Sequence, residues 1–187
     1  VTGGGGHLCG EMARAFGKAA CKVAVLDLRP EKAEAVAQQI RDEGGEAIGV
    51  FGDFDVDGLT GTAIVLRIVR KLGGKAVPYI PNRETEGHGL SVGAIDSFHD
   101  AGAMLITTVD TGSTAVDEIA YAKRLGIDTV VTDHHLIETE RPDAVALVNP
   151  HTGDDGSAQV DYSGAGVAFK LAQALSDAAG YGIPTAL

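Results

Sequence analysis

Three acidic side chains at alternate positions, Asp53, Asp55 and Asp57, followed at once by Gly58, are the densest concentration of chemistry in this sequence. On extended backbone, alternate residues project to one side of the chain. Carboxylates gathered in this way repel one another or take up protons, and a divalent cation removes the conflict. Two later apolar runs end in similar chemistry. Leu105 to Val109 leads into Asp110-Thr111-Gly112, and Thr129 to Thr132 leads into Asp133-His134-His135. In a parallel sheet, residues just past the carboxyl ends of neighbouring strands converge on the crevice where ligands bind. Four or five carboxylates with an imidazole favour Mn²⁺ or Mg²⁺ over zinc, which in structural sites prefers closed thiolate and imidazole shells. The opening Asp-x-Asp-x-Asp-Gly also begins an EF-hand, but the twelfth position of that loop requires a bidentate Glu and holds Ile64, inside an apolar stretch. A calcium loop is therefore excluded. No nucleophile elbow accompanies Thr111 or Ser113, which read as helix caps.

The elements that must position these residues alternate between two kinds. Short apolar runs at Lys22–Leu26, Glu46–Phe51, Lys75–Ile80, Ala103–Val109, Ile127–Thr132 and Ala144–Val148 have the length of buried parallel strands. Amphipathic stretches lie between and after them, at Gly10–Ala20, Glu31–Glu43, Thr60–Leu72, Ser91–Ala101, Ser113–Leu125 and Gly164–Ala179. Ser91 and Ser113 stand where helix caps belong, and Gly73, Gly102, Gly126 and Gly180 stand at helix exits. The order predicts an α/β fold: a doubly wound, mainly parallel sheet with helices on both faces.

Of 187 residues 44% are hydrophobic, enough for a core of ordinary size. There is no apolar run long enough to span a membrane and no signal-like opening, so a cytoplasmic protein without membrane contact is expected. Cys9 and Cys21 form neither a disulfide framework nor a zinc spacing. With 26 acidic against 15 basic residues the net charge is −11, which argues against a broad electrostatic grip on nucleic acid. Any polyanion bound here needs a local cation.

The first fifty residues carry a separate signal. Thr2-Gly3-Gly4-Gly5-Gly6-His7-Leu8-Cys9-Gly10 opens a helical stretch, and the run Val23 to Leu26 ends at Asp27, at the spacing of a dinucleotide fold. Glycines admit a pyrophosphate, and an acidic residue at Asp27 accepts ribose hydroxyls. This part resembles the short-chain dehydrogenase family. The resemblance implies NAD bound at Gly3, Gly4, Gly6 and Asp27, within a truncated Rossmann-like βαβ segment at residues 1–45; the alternative is that it supplies only strands and helices. The family's Tyr-x-x-x-Lys is absent, since Tyr79, Tyr121, Tyr162 and Tyr181 are followed four residues on by Arg83, Leu125, Gly166 and Thr185, so hydride transfer is not expected. The GxxxxGK[ST] phosphate loop is absent as well.

Asp53-x-Asp55-x-Asp57-Gly58, Val109-Asp110-Thr111-Gly112 and Asp133-His134-His135, in this order and at these intervals, resemble the DHH phosphoesterase family. The stretches Phe51–Thr60, Tyr79–Arg83, Glu86–Ser91 and Val148-Asn149-Pro150 are similar to its RecJ-like branch of single-strand-specific 5′ to 3′ exonucleases. The resemblance spans residues 46–187 and implies a DHH phosphoesterase domain. In it, Asp53, Asp55, Asp57, Asp110 and His134 hold one or two Mn²⁺ (or Mg²⁺) ions, His135 faces the scissile phosphate of a single-stranded DNA or oligonucleotide substrate, and Arg83 adds a phosphate contact. Asp110, His134 and His135 are then the catalytic group, since two cations activate water and clamp phosphate oxygens during in-line attack. The family places a further metal-binding Asp and a second domain beyond the point where Leu187 ends this sequence, so weak or absent activity of this chain is expected. Phosphodiesterases of short oligonucleotides or cyclic dinucleotides, and a non-catalytic NAD-binding module, are the alternative readings.

Overall fold

Short runs of β-branched and aromatic residues become strands here because both of their faces are covered. The computed structural model describes residues 47–137, 140–152 and 161–180. In it, β1 (Ala47–Gly52), β2 (Ala76–Tyr79), β3 (Ala103–Val109), β4 (Asp128–Thr132) and β5 (Ala146–Val148) form one parallel sheet in the order β2-β1-β3-β4-β5. Helices α1 (Val56–Lys71), α2 (Val92–Asp100), α3 (Val116–Arg124) and α4 (Gly164–Ala178) accompany it, with a short 3-10 turn at Pro150–Thr152. The expected doubly wound α/β architecture is what these residues adopt.

Strand alternation divides the interior into two cores. Phe51 and Ile106 point to the side of α2 and α3, packing with Ala94, Ile95, Phe98, Ile119 and Ala122. Val50 and Val109 point the other way, to Val65 and Leu66 of α1 and Ala168 of α4. Phe51, Phe98, Val50, Val109 and Ile106 are fully buried, each large side chain contributing about 2 kcal/mol of apolar transfer free energy. Tyr79 stacks on Phe51 at 5.6 Å between centroids and meets Phe98 edge-on at 5.9 Å, which closes the first core near the carboxyl ends of β1 and β2.

Helix starts follow the capping chemistry of the sequence, with two departures. Ser91 and Ser163 accept hydrogen bonds from the N–H groups of Ala94 and Gly166. Helix α1 begins four residues before the expected Thr60, because Asp55 caps it through a 2.9 Å bond from Gly58 N–H. Ser113 does not cap α3, whose cap residue Ala115 makes no side-chain bond; Asp117 and Glu118 at its start and Lys123 and Arg124 at its end complement the helix dipole instead. The exits at Gly73, Gly102, Gly126 and Gly180 all take positive φ, as helix-terminating glycines do.

The chain order of the strands reverses between β1 and β3. Their carboxyl ends therefore border the crevice of a doubly wound sheet, and Asp53 and Asp110 are the residues that leave them.

Candidate metal centre

Parallel register brings the strand ends level. Gly52, Val109, Thr132 and Val148 are aligned across β1, β3, β4 and β5, and the residue after each is polar: Asp53, Asp110, Asp133 and Asn149. The backbone carries the ladder one step further, with Asp53 N–H donating to Val109 O at 3.2 Å, Asp110 N–H to Thr132 O at 2.9 Å and Asp133 N–H to Val148 O at 3.1 Å. With strands about 4.8 Å apart, three carboxyl groups and an amide stand in a row across the sheet edge.

Asp110 is the centre of this row. Its φ of 61° makes it the one non-glycine residue with positive φ among the described residues, a conformation that Asp tolerates better than most side chains. It is 2% exposed, and burial together with the carboxylates of Asp57 and Asp55 pushes its pKa up to about 7, against the pull of His135. Ligand atoms of Asp53, Asp55 and Asp110 lie within 4.8 Å of one another, and those of Asp110, His134 and His135 do likewise. Two triads thus share Asp110. Asp53 Oδ1 and Asp110 Oδ1 are buried with no hydrogen-bond donor, and His134 Nε2 lies 3.1 Å from the latter without hydrogen-bonding geometry. Orphaned carboxylate oxygens facing an imidazole nitrogen are the donor set that a hard divalent cation requires. The residues present fit such an ion.

The acidic triplet does not act as one extended face. Asp53 continues β1, Asp55 is the extended cap of α1, and Asp57 lies in the first helical turn. Asp57 Oδ2 accepts from Gly164 N–H at 2.7 Å and lies 3.8 Å from His134 Nε2, and Oδ1 accepts from Ala165 N–H at 2.8 Å. Burial raises its pKa, but these backbone donors, the Ser163 hydroxyl and His134 outweigh it and hold the carboxyl below the usual range.

Asp133 does a different job from its neighbours. Its Oδ1 accepts from His134 N–H at 2.7 Å, from His135 N–H at 3.2 Å and pairs with His135 Nδ1 at 2.7 Å, while Oδ2 accepts from Ser113 N–H at 2.9 Å. Although burial opposes ionisation, those donors hold its pKa below the ordinary value. Burial lowers the pKa of His135, but the bond and charge of Asp133 and the charges of Asp110 and Asp53 raise it overall. Held at Nδ1, His135 leaves Nε2 for a ligand. Asn149 completes the loop, donating to Ser113 Oγ at 2.8 Å and to His135 O at 2.9 Å while accepting from His151 N–H.

Arg83 is exposed at the rim, its guanidinium 5.3 Å from the centroid of Phe54. His88 packs on the same ring at 4.5 Å, with Nδ1 4.0 Å from Asp53 Oδ2. Asp53, Asp55, Asp110, His134 and His135 are therefore brought together, Arg83 stands at the rim, and Asp57 borders the group, its Oδ2 3.8 Å from His134 Nε2 while both oxygens also accept from the start of α4. Residues to which the motif reading gave no role in the site are Asp133, Ser113 and Asn149, and the start of α4. Asn149 follows a strand end as the aspartates do, which is a signal that local reading offers. Gly164 gives none. The expectations for Gly3, Gly4, Gly6 and Asp27, and for the strand Lys22–Leu26, fall outside the described residues. Among the described residues no helix is long and apolar enough to cross a membrane.

Comparison with known proteins agrees with this geometry. The chain is 42% identical over 145 residues to the single-stranded-DNA-specific exonuclease RecJ of Bacillus subtilis (strain 168), a match covering 78% of this chain and 18% of that protein. It is 42% identical over 146 residues to the RecJ of Escherichia coli (strain K12), covering 78% of this chain and 25% of the other. A crystal structure of exonuclease RecJ bound to manganese aligns with a TM-score of 0.67 at 36% identity, over 83% of this chain and 39% of that one. This chain spans about a fifth to a quarter of the length of those curated relatives. The matches lend no support to the short-chain-dehydrogenase resemblance of residues 1 to 50. The N-terminal domain of the DHH family matches residues 47–186, well over half of the chain, and with the strand-end aspartates and the His134-His135 pair in place the chain belongs to the DHH family.

Proposed function

We propose that this domain hydrolyses phosphodiester bonds of single-stranded DNA with the help of Mn²⁺, releasing mononucleotides from the 5′ end. The observation that carries the reading is the sharing of Asp110 between two triads, Asp53-Asp55-Asp110 and Asp110-His134-His135. The printed specificity of the RecJ relatives for single-stranded DNA, and the manganese in the RecJ crystal structure, support the substrate and the metal.

In this reading Asp53, Asp55, Asp57, Asp110 and His134 hold one or two ions, Mn²⁺ or Mg²⁺. Bound there, a divalent cation supplies Lewis acidity towards the phosphoryl oxygens and the positive charge that a chain of net charge −11 lacks. His135 turns Nε2 towards the scissile phosphate and donates a hydrogen bond to it, in the orientation fixed by Asp133 at Nδ1. Arg83 reaches a neighbouring phosphate from the rim as a charge-assisted donor. Asp110 ties the two triads to one strand end, so the donor sets keep a fixed separation while substrate enters from the open side of the sheet edge.

The test is release of nucleotides from 5′-phosphorylated single-stranded DNA, with dinucleotide and duplex DNA as comparisons. Release that needs Mn²⁺, prefers the long single strand and disappears in Asp110→Ala supports the proposal. Activity without a divalent cation, or activity unchanged in Asp110→Ala, refutes it.

A further inference from the structure

We propose that Thr108 is a positioning residue, whose buried hydroxyl closes the left-handed turn that brings the Asp110 carboxylate to the side of the sheet where α1 and α4 begin. The inference rests on the metal reading above and gives a role to a side chain that the strand run Leu105 to Val109 hides.

The direction of Asp110 calls for a cause. Successive side chains of a strand point to opposite faces of the sheet. Val109 packs on the side of α1 and α4, with Val65 and Ala168, so a strand continued in register would send Asp110 to the side of α2 and α3. Instead, a Cβ on Gly164, the first residue of α4, would lie 2.5 Å from Asp110 Cβ and 2.3 Å from its Oδ1. The carboxylate therefore stands on the same side as Val109, where Asp55 and Asp57 open α1. What turns it is the φ of 61° at Asp110, a conformation that costs free energy for a residue with a Cβ and persists only where the surroundings impose it.

Three hydrogen bonds impose it. Before the turn, Asp110 N–H donates to Thr132 O at 2.9 Å, and the Thr132 hydroxyl donates back to Thr108 O at 2.7 Å, which ties β3 to β4. Across the turn, the Thr108 hydroxyl reaches past Asp110 and donates to Thr111 O at 2.7 Å. That bond closes a ring from residue 108 to residue 111 with Asp110 inside it. Gly112 makes room for the closure: its φ is 110°, and a Cβ there would lie 2.5 Å from Thr108 Oγ1. Thr108 is fully buried, and valine would fill its place with no polar group to satisfy. The hydroxyl at this position finds its use in the turn.

Mn²⁺ titration calorimetry and NMR on the full 187-residue chain test the assignment. Thr108→Val keeps the shape of the side chain and removes the bond to Thr111. Its Mn²⁺ affinity should fall about tenfold at unchanged stoichiometry, as for groups that orient metal ligands. Thr108→Ser, which returns the hydroxyl, should restore the affinity of the unmodified chain. Ile106→Val, buried on the same strand but outside the turn, should lower stability and leave Mn²⁺ affinity unchanged. An affinity unmoved in Thr108→Val, or lowered as much by Ile106→Val, overturns the positioning role. The unmodified chain in EDTA supplies a reading that needs no variant to fold. There the Asp110 Cα and Cβ shifts should carry the signature of positive φ, and the Thr108 hydroxyl proton should exchange slowly enough to be observed. Extended-backbone shifts at Asp110, or a Thr108 hydroxyl in rapid exchange with water, overturn the proposal. Failure of the metal reading looks different: the unmodified chain then binds no Mn²⁺ although both NMR signatures are present, and the positioning role falls with it.

Discussion

Replacing Asp110 by Asn should stabilise the metal-free protein at neutral and alkaline pH while removing its response to Mn²⁺. Asn keeps the size of the side chain and accepts the left-handed φ of 61° as readily as Asp, so the backbone is not strained by the exchange. The carboxyl group is 2% exposed beside Asp57 and Asp55, and its pKa is raised from 3.8 to about 7. Because the folded state binds this proton more tightly than the unfolded chain, the stability linked to it is fully present below pH 3.8 and is lost as the pH climbs through about 7. Three units at 1.36 kcal/mol each set the loss at about 4 kcal/mol as an upper value at pH 8. Asn carries no such penalty. Urea unfolding in EDTA should therefore show Asp110→Asn more stable than the unmodified chain by about 2 to 4 kcal/mol at pH 8, with the difference vanishing near pH 4. Mn²⁺ at a hundredfold excess over its dissociation constant should stabilise the unmodified chain by about 2.7 kcal/mol and the variant far less, which narrows or reverses the order. A variant less stable than the unmodified chain in EDTA at both pH values refutes the argument, because the carboxylate would then be a net stabilising contact. So does equal stabilisation of both proteins by Mn²⁺.

Further outcomes follow from the loop around the histidine pair. Asp133→Asn leaves the Ser113 and His135 donors short of an acceptor and should cost about 2 to 3 kcal/mol by denaturant unfolding. In the same variant the pKa of His135, followed by NMR, should fall, so its protonated form is lost at lower pH than in the unmodified chain; an unchanged titration contradicts the pairing. Asn149→Ala should destabilise by about 1 to 3 kcal/mol and broaden the His135 resonances, since the amide joins Ser113 Oγ to His135 O. Arg83→Ala should weaken single-stranded DNA binding about tenfold, measured by fluorescence anisotropy, with Mn²⁺ affinity unchanged; a loss of Mn²⁺ affinity would place Arg83 in the metal site instead of at its rim.

The architecture was legible because burial on both faces leaves its mark in composition. The runs around Val50, Ile106 and Val131 are apolar enough to mark parallel strands, and the helix exits at Gly73, Gly102 and Gly126 carry the residue that positive φ demands. The candidate site was legible wherever a strand end carries its own chemistry, as at Asp53, Asp110 and His134. It was not legible where geometry depends on a helix start or on a distant partner. Asp55 and Asp57 look alike in an alternating acidic run, yet Asp55 caps α1 and thereby places Asp57 in the first helical turn. Ser113 has the spacing of a helix cap, but its N–H answers the buried carboxylate of Asp133 twenty residues later. Gly164 looks like a helix opening, and its close approach to Asp110 exists only once α4 is laid beside α1.

The central claim is that Asp110 joins two cation positions at the edge of the sheet. An anomalous difference map from crystals soaked in Mn²⁺ tests it most directly. The account predicts peaks within ligand distance of Asp110, one bordered by Asp53 and Asp55 and, where a second ion binds, one bordered by His134 and His135. Peaks confined to other carboxylates, or none near Asp110 at saturating Mn²⁺, would contradict it.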